Sequence, residues 1–268
     1  MLNINTNYGA AFAAKAAKNS SASLNTAFER LSSGSRINFA KDDAAGQGIA
    51  TRLAAEVKGL EMASRNAADA QAMVDTAEGA HQEVHSMLLR MREIAVQAVN
   101  GTLNNADRTA LNTEMTALEA EITKIADNTA FGGINLGTSS AITFQIGAGK
   151  DETIGHTFKD FDAASLSLIS SVATATAAAN TISVVDAAIS LVSTRRGELG
   201  ALSNRLSSTI ANLDNIAVNL SSAKGRIQDT DFATETSNLA KSQIMQQAAT
   251  AMLAQANASK QTVLALIQ

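Results

Sequence analysis

The chain has 268 residues, and although 46% of them are hydrophobic, only 3% are aromatic. It contains no cysteine, which excludes disulfides and thiolate catalysis, and no proline, which favours long uninterrupted helices because proline breaks them. A formal net charge of −4 argues against nucleic acid as the main partner.

The N-terminal residues 1–8 contain neither a basic region nor an apolar run, so we expect no Sec-type signal peptide. The chain has no unbroken run of about 18 apolar residues, which is close to the length that a transmembrane helix needs. We therefore expect no membrane span.

The apolar residues of the first segment recur at helical spacing and predict a helix over residues 5–31. Serine, glycine and asparagine in residues 32–46 indicate a structured connector. Its two adjacent carboxylates, Asp42 and Asp43, point in different directions, which does not suit general acid–base catalysis. We interpret both as capping the positive end of the helix that follows.

Two further helices are predicted before the middle of the chain. A long helix over residues 44–100 carries apolar residues at alternating spacings of four and three in its second half. It ends at an Asn-Gly pair, which tolerates the left-handed conformation found at helix ends. A third helix over residues 105–128 follows, and Asn104 and Asn105 are both candidates for its N-cap.

Two histidines of the long helix, His81 and His85, are four residues apart, a spacing that can bind a metal ion. The glutamate between them is displaced from its place in the H-E-x-x-H motif, and the sequence offers no evident third ligand. We therefore expect a solvated helix face and no metal site. His156 has no evident aspartate or serine partner, so we predict no catalytic residues.

The middle of the chain changes from helical to alternating spacing. Ile142, Phe144 and Ile146 alternate with polar residues, which indicates a strand. A glycine-rich turn follows, and residues 153–158 can return as a second strand. We therefore predict a small β-hairpin near residues 140–160.

One apolar residue recurs at every seventh position between residues 185 and 227. Such a strict period is typical of a helix that holds one seam against a partner helix, so we predict a helix over residues 178–228. We expect the partner to be the helix at residues 44–100 of the same chain. The residues of this intrachain seam are Val185, Val192, Leu199, Leu206, Leu213, Leu220 and Ile227.

The last segment, residues 230–268, predicts a helix with a broad apolar face. Both ends of the chain are therefore amphipathic, rich in alanine and nearly uncharged. A lone helix of this kind is marginal in water, because most helix stability comes from packing an apolar face. We interpret the two ends as segments that become ordered in a self-assembled polymer. The residues expected to pack in its core are Phe12, Phe28, Ile244, Leu253 and Leu264.

Several motifs near both ends of the chain resemble those of bacterial flagellin. At the N-terminal end they include ERLSSG at residues 29–34 and AKDDAAG at residues 40–46. At the C-terminal end they include RIQDTDFATE at residues 226–235 and QIMQQA at residues 243–248. Only residues 129–177 separate the third helix from the heptad helix, so the chain resembles a short flagellin that lacks large central outer domains.

The resemblance implies a mainly α fold, with a long antiparallel helical bundle or coiled coil and a small β-hairpin region. Residues 1–43 and 229–268 would be inner-core terminal helices, and residues 44–228 an outer-core helical domain with the hairpin near residues 140–160. It also implies a structural role without enzymatic activity or a cofactor. The chain would self-assemble into the bacterial flagellar filament, a helical homo-oligomer used for motility.

The resemblance further implies secretion through the flagellar export apparatus to an extracellular filament. The implied partners are an export chaperone, a filament cap protein and junction proteins. In the flagellin family an animal innate immune receptor, Toll-like receptor 5, reads a region whose matching residues here are Arg90, Ile94 and Glu114. The same residues can also serve helix or subunit packing, with or without receptor recognition.

Two alternatives to a filament subunit stay open. A hook–filament junction protein of the same apparatus shares similar terminal helices. A coiled-coil adaptor protein would need a sensor domain or a membrane span, and the sequence shows neither. The flagellin-like motifs at both ends favour the filament subunit.

Overall fold

The computed structural model confirms a mainly α-helical fold with a small β-hairpin. The structure describes residues 6–168 and 171–265, with side chains as far as residue 259. In chain order the elements are α1 (Tyr8–Ser33), α2 (Ala44–Val99), α3 (Asn105–Asn128), β1 (Ala130–Phe131), β2 (Ile134–Asn135), β3 (Ser140–Gln145), β4 (Thr153–Phe158), α4 (Ala175–Gln228) and α5 (Phe232–Ala265).

The helix ends follow local capping signals. α1 ends at Ser33 because Gly34 adopts a left-handed backbone with a φ of 70°. The N-cap of α3 is Asn104, whose side chain accepts a hydrogen bond from the Asp107 N–H at 2.9 Å. In return the Asp107 carboxylate accepts one from the Asn104 N–H at 3.1 Å, which completes a capping box. The third helix thus begins where the sequence predicted, with Asn104 rather than Asn105 as its cap.

One buried arginine, which the sequence did not single out, organises the turn between α2 and α3. Arg108 is 7% exposed and donates three hydrogen bonds to backbone carbonyls. The acceptors are the carbonyls of Ala98 at 2.9 Å, Leu103 at 2.8 Å and Asn100 at 3.0 Å. Carbonyls at a helix end have no partner within the helix, and a guanidinium with several donors can satisfy them together.

The β-hairpin has the predicted position. β3 and β4 pair antiparallel, with Ile142 opposite His156 and Phe144 opposite Ile154. One face of the hairpin is buried, because Phe144 and Ile154, together with Phe158, belong to the hydrophobic core.

A second small sheet, β1 with β2, was not predicted from the sequence. Phe131 pairs with Ile134 across Gly132 and Gly133, whose φ angles are 57° and 85°. Positive φ at both central residues suits the tight turn of a two-residue hairpin and favours glycine there. Strands of only two residues are too short to show an alternating pattern, so they could not be predicted from spacing.

The chain divides into two compact units, and both divisions fall inside helices. Unit 1 comprises residues 1–55 and 219–268, and unit 2 comprises residues 56–218. α2 and α4 therefore each contribute to both units. The division into inner-core and outer-core regions at residues 43 and 229, expected from the flagellin resemblance, stays a prediction.

The core of unit 2 consists of two hydrophobic clusters that join distant parts of the chain. The first contains residues of α2, α3, the segment after β4 and the first half of α4, including Ile94, Met115, Phe161 and Val185. The second contains residues of α2, the hairpin and α4, among them Leu206. Side chains from three or more segments thus pack together in each cluster.

The heptad residues of α4 lie at different depths along the helix. The buried members are Val185, Val192, Leu199, Leu206 and Leu213, whereas Leu220 and Ile227 are half-buried. The first four share their clusters with residues of α2 and with α3 or the hairpin. The assignment of all seven residues to one intrachain seam stays a prediction.

By length and composition alone, α4 could also cross a membrane. An 18-residue window of this helix has a mean hydropathy of 1.5, and 28% of that window is buried. The sequence prediction required an unbroken apolar run, a stricter test that α4 does not pass. The core helix of a soluble protein can have the same composition, so this finding is weak evidence for a membrane span.

Candidate functional site

The most unusual surface of unit 1 is formed by α1 and α5, which pack against each other with small residues. Ala13, Ala27 and Ala249 are buried, and they let the two helices approach closely. The bulky apolar side chains are instead exposed to solvent. These exposed residues are Tyr8, Phe12, Phe28, Ile244, Met245 and Met252, and their exposed fractions range from 51% to 77%.

An apolar groove of about 430 Å³ lies between the two helices. Phe12 and Ala16 line it from α1, and Met245, Ala248 and Met252 line it from α5. Met245 and Met252 are seven residues apart, a spacing that places both side chains on the same face of α5. The groove is therefore a concave apolar surface that the described part of unit 1 does not fill.

Two polar contacts set the antiparallel arrangement of α1 and α5. Near the start of α1, the Asn7 side chain caps the helix and donates a hydrogen bond to the Ala256 carbonyl at 3.0 Å. Near its end, Arg30 lies 3.8 Å from the carboxylate of Glu235, which is 8% exposed. Both ends of α1 are thus fixed against α5, and the groove lies between these contacts along the helices.

The connector between α1 and α2 is bonded to the end of α4 through its backbone. The Arg36 N–H donates to the Gln228 carbonyl at 2.7 Å, and the Thr230 N–H donates to the Gly34 carbonyl at 3.0 Å. The Arg36 guanidinium also donates to the Ile227 carbonyl at 2.8 Å. These bonds hold the end of α4 beside the start of the connector, so that α5 begins close to the end of α1.

The two adjacent carboxylates of the connector have separate roles. Asp43 accepts a hydrogen bond from the Gly46 N–H at 2.8 Å and caps α2, as predicted. Asp42 does not cap α2 but accepts bonds from the N–H groups of Asn38 and Phe39 within the connector. The bond from Phe39 is the main reason why the pKa of Asp42 is lowered. The interpretation of Asp42 as a helix cap was therefore wrong, because its side chain turns back into the loop.

Among the residues predicted to pack in a filament core, the four with described side chains are not fully buried. Phe12, Phe28 and Ile244 are 77%, 53% and 65% exposed. Leu253 is half-buried, and the side chain of Leu264 lies outside the described residues. Two exposed aromatic residues, Phe39 and Phe232, were missed because Phe39 lies in the connector and Phe232 is the first residue of α5, where helical spacing gives no signal.

The three residues matched to a receptor-binding region do not share one surface. The Arg90 guanidinium donates two hydrogen bonds to Glu114, at 2.8 and 2.9 Å, and both side chains are exposed. These bonds are the main reason why the pKa of Arg90 is raised. Ile94, in contrast, is fully buried in the first core cluster. The exposed feature of this region is therefore the ion pair, which joins α2 to α3.

The expectation of a solvated face at the two histidines of α2 was wrong for His81, which is 3% exposed. Its Nδ1–H donates to the Ala77 carbonyl at 2.8 Å, and its ring centre lies 4.4 Å from that of Phe161. Burial lowers its pKa. Phe161 lies far along the chain, so helical spacing alone did not reveal the burial of His81.

The described residues contain no group of three or more side chains of the metal-binding types close enough to hold an ion. His85 is half-buried, and His156 packs its ring edge-on against Phe158 at 4.9 Å. Burial lowers the pKa of His156 as well. His81 and His156 thus each pack against a phenylalanine ring.

The chain matches two family models. Residues 4–138 match the bacterial flagellin N-terminal helical region, and residues 182–267 match the bacterial flagellin C-terminal helical region. A flagellin of Halalkalibacterium halodurans is 44% identical over 250 residues, which cover 90% of this chain and 91% of that relative.

Two solved structures are similar as well. Bacillus cereus flagellin is 30% identical with a TM-score of 0.51, over 60% of this chain and 94% of that chain. A Vibrio parahaemolyticus protein described as flagellar hook-associated has a TM-score of 0.60, over 70% of this chain and 100% of that chain. The latter is only 15% identical, so its likeness is one of fold alone.

Proposed function

Because this chain belongs to the bacterial flagellin family and is a structural subunit of the flagellar filament, we propose that α1 and α5 supply the contacts that hold its subunits together. The observation that carries the proposal is the exposure of bulky apolar side chains around the apolar groove. Phe12, the most exposed of them, is 77% accessible. A soluble monomer gains nothing from this exposure, whereas a neighbouring subunit that covers the groove removes apolar area from water.

The expected gain per side chain is large enough to drive assembly. Fully burying a Phe, Ile or Met side chain stabilises by roughly 1.5–3 kcal/mol, so several such residues on each subunit supply a cooperative driving force. In a filament each subunit contacts the next through two different surfaces, and this repeats without closing. Phe12, Phe28, Ile244, Leu253 and Leu264 are our proposed contributors to the filament core.

Deletion of either terminal segment tests the proposal most directly. Removal of residues 1–30 or of residues 235–268 should abolish polymerisation, measured by electron microscopy of protein seeded with filament fragments. Unit 2 has its own hydrophobic clusters, so it should keep its cooperative melting transition in both deletion variants. Normal filaments from either deletion would refute the proposal.

A point substitution tests the groove without removing a helix. Phe12→Ser should raise the critical monomer concentration for growth by about tenfold or more, because an apolar contact is lost from every subunit interface. The monomer should stay folded, since the Phe12 side chain is exposed. Val218→Ser is the matched control, because Val218 is 68% exposed but lies outside the groove.

The comparisons favour a filament subunit over a hook–filament junction protein. The flagellin of Halalkalibacterium halodurans is similar in sequence over 90% of this chain, whereas the hook-associated protein shares the fold alone. We therefore do not retain the adaptor or the junction alternative.

The remaining partners and the location of the protein are part of the proposal. We propose that the chain is exported, assembles outside the cell and meets an export chaperone, a filament cap protein and junction proteins on the way. We also propose that it acts without catalysis or a cofactor. Membership in a family of structural filament proteins supports each of these statements.

We further propose that Arg90 and Glu114 contribute to recognition by Toll-like receptor 5. Their exposed ion pair offers both charges to a partner, while Ile94 would act only by supporting the helix from the core. Arg90→Ala should weaken binding of the monomer to the purified receptor ectodomain by about fivefold or more. Lys124→Ala, which removes another exposed charge paired on α3, is the control. Unchanged binding by Arg90→Ala would contradict the assignment.

A further inference from the structure

We propose that Met245 and Met252 are an oxidation site through which peroxides weaken the polymerisation of this subunit. The proposal rests on the proposed role of the apolar groove in assembly. It names the residues of the groove that can change chemically, and the class of reagent that changes them.

The first observation is the uneven exposure of the methionines. Met252 is 65% exposed and Met245 is 51% exposed, whereas Met91 and Met115 are fully buried and Met73 is 7% exposed. A dissolved oxidant reaches an exposed thioether far more readily than a buried one. The two methionines of α5 are therefore expected to react before those of the unit 2 core.

The second observation is the position of the two sulfurs. Both methionines line the apolar groove, beside Phe12, Ala13, Ala248 and Ala249. Met245 also lines a neighbouring, more polar cavity that contains Lys241 and Ser242. Met252 lines only the apolar groove among the described cavities. The groove itself is lined by two polar side chains, Gln255 and Ser259, so a polar group on Met252 would find fewer donors than one on Met245, which also faces the polar cavity.

The reaction needs only a peroxide. The O–O bond of the peroxide breaks, one oxygen atom forms a bond with the thioether sulfur, and the other leaves as water or an alcohol. The sulfur loses two electrons, the peroxide gains them, and the product is methionine sulfoxide. The side chain changes from a flexible apolar group to a polar one with a strong hydrogen-bond acceptor.

The consequence follows from the chemistry of burial. In the monomer the sulfoxide oxygen can bond to water, so oxidation costs little. When a neighbouring subunit covers the groove, that oxygen loses water and meets mainly apolar carbon. A buried acceptor without a partner should weaken the contact by about fivefold or more, and more at Met252 than at Met245.

The experiment compares each protein with itself before and after oxidation. Monomer is treated with hydrogen peroxide until mass spectrometry shows sulfoxide at residues 245 and 252, and growth from filament fragments is then measured. We expect the critical concentration to rise by about fivefold or more relative to the untreated protein. Methionine sulfoxide reductase should restore it. Circular dichroism should show that the helices persist.

Two variants separate this site from other methionines. In Met245→Leu/Met252→Leu the ratio of treated to untreated critical concentration should stay near one, whatever the untreated value is. Met62 is 49% exposed but lies on α2, outside the groove. In Met62→Leu the critical concentration should therefore rise on oxidation by as much as in the unsubstituted protein. In assembled filaments Met245 and Met252 should resist peroxide, because a neighbouring subunit covers them.

Growth of doubly oxidised protein at the untreated critical concentration would overturn this proposal alone. Equal inhibition of the double leucine variant would overturn it too, since another residue would then be responsible. Failure of the untreated protein to polymerise would overturn both the proposed function and the inference that rests on it.

Discussion

At the scale of single residues, two buried polar side chains, Arg108 and His81, fix loops of unit 2 to its helices. Arg108 binds the carbonyls at the turn between α2 and α3, and His81 packs under Phe161 from the segment after β4. His81 also lies near cationic Arg195, which opposes a positive charge on the ring. Each residue is polar, yet each is buried because its donors meet specific carbonyls.

The burial of His81 predicts a loss of stability in mild acid. Its folded pKa is lowered, mainly by burial, so the unfolded chain binds a proton below about pH 6.5 while the folded ring still resists it. The unfolded state then binds more protons, and the free energy of unfolding falls as pH drops through this window. The stability is fully retained above the pKa that the histidine has in the unfolded chain. Thermal melting of unit 2 between pH 7 and 5 measures the effect.

Substitution of single histidines identifies the group responsible. His81→Gln should reduce the fall in melting temperature between pH 7 and 5. The pKa of His156 is also lowered, and His156 should account for a smaller part of the fall in melting temperature, because it is more exposed than His81. An equal fall in wild type and His81→Gln would contradict the assignment.

At the scale of secondary-structure elements, five of the seven heptad residues of α4 are buried, and their assignment to one seam with α2 stays a prediction. The clusters that contain the first four heptad residues include α3 or the hairpin as well as α2. A period of seven keeps one face of the helix toward the core, whatever segments cover that face. The spacing therefore predicted which face of α4 is apolar, whereas the segments that cover that face could be identified only from the tertiary structure.

Replacement of Leu206 tests this buried face. Leu206 is fully buried, so Leu206→Asp should lower the free energy of unfolding of unit 2 by on the order of several kcal/mol, because a charge enters an apolar cluster. Asn204→Asp introduces the same charge two residues away at an exposed position and should change stability by less than about 0.5 kcal/mol. Urea denaturation measures both. If the urea denaturation of Leu206→Asp matched that of the unsubstituted protein, the placement of Leu206 in the intrachain seam would be contradicted.

At the scale of the whole molecule, the two units differ in how much apolar surface they bury. In the described part of unit 1, the buried apolar residues are Ala13, Ala27, Ile37, Ala50 and Ala249. Four of these five are alanines, which contribute little area, whereas unit 2 buries Leu, Ile, Met and Phe in two clusters. Unit 1 should therefore be the less stable part of the free subunit.

Hydrogen exchange measures this difference. In the monomer, the backbone amides of α1 and α5 should exchange faster than those of α2 within unit 2, because local opening costs less where little surface is buried. In filaments the amides of α1 and α5 should exchange more slowly, on the order of tenfold or more, since only the ordered form binds neighbours. Equal protection of α1 in monomer and filament would contradict a role of α1 in assembly.

Helix positions and the β-hairpin could be predicted because their signals are local. Each signal lies within a few residues of the element that it defines, as do the periodic spacing of the helices, Gly34 after α1 and the Asn104 cap of α3. The two-residue strands β1 and β2 could not be predicted, since they are shorter than any period. The roles of Asp42 and Asp43 differ because side-chain direction in a loop depends on the turn that the loop makes.

The sequence by itself determined the helical elements, the hairpin and, through its motifs, the family of this filament subunit. Only the tertiary structure decided which side chains are covered: Ala13 is buried while Phe12 is exposed, and His81 is buried although its spacing suggested a solvated face. Periodicity shows which residues share one face of an element, whereas burial depends on segments that are distant in sequence. Phe161 packs against His81, for example, and α5 packs against α1. The exposed groove residues follow from that arrangement, and so does the surface proposed for assembly.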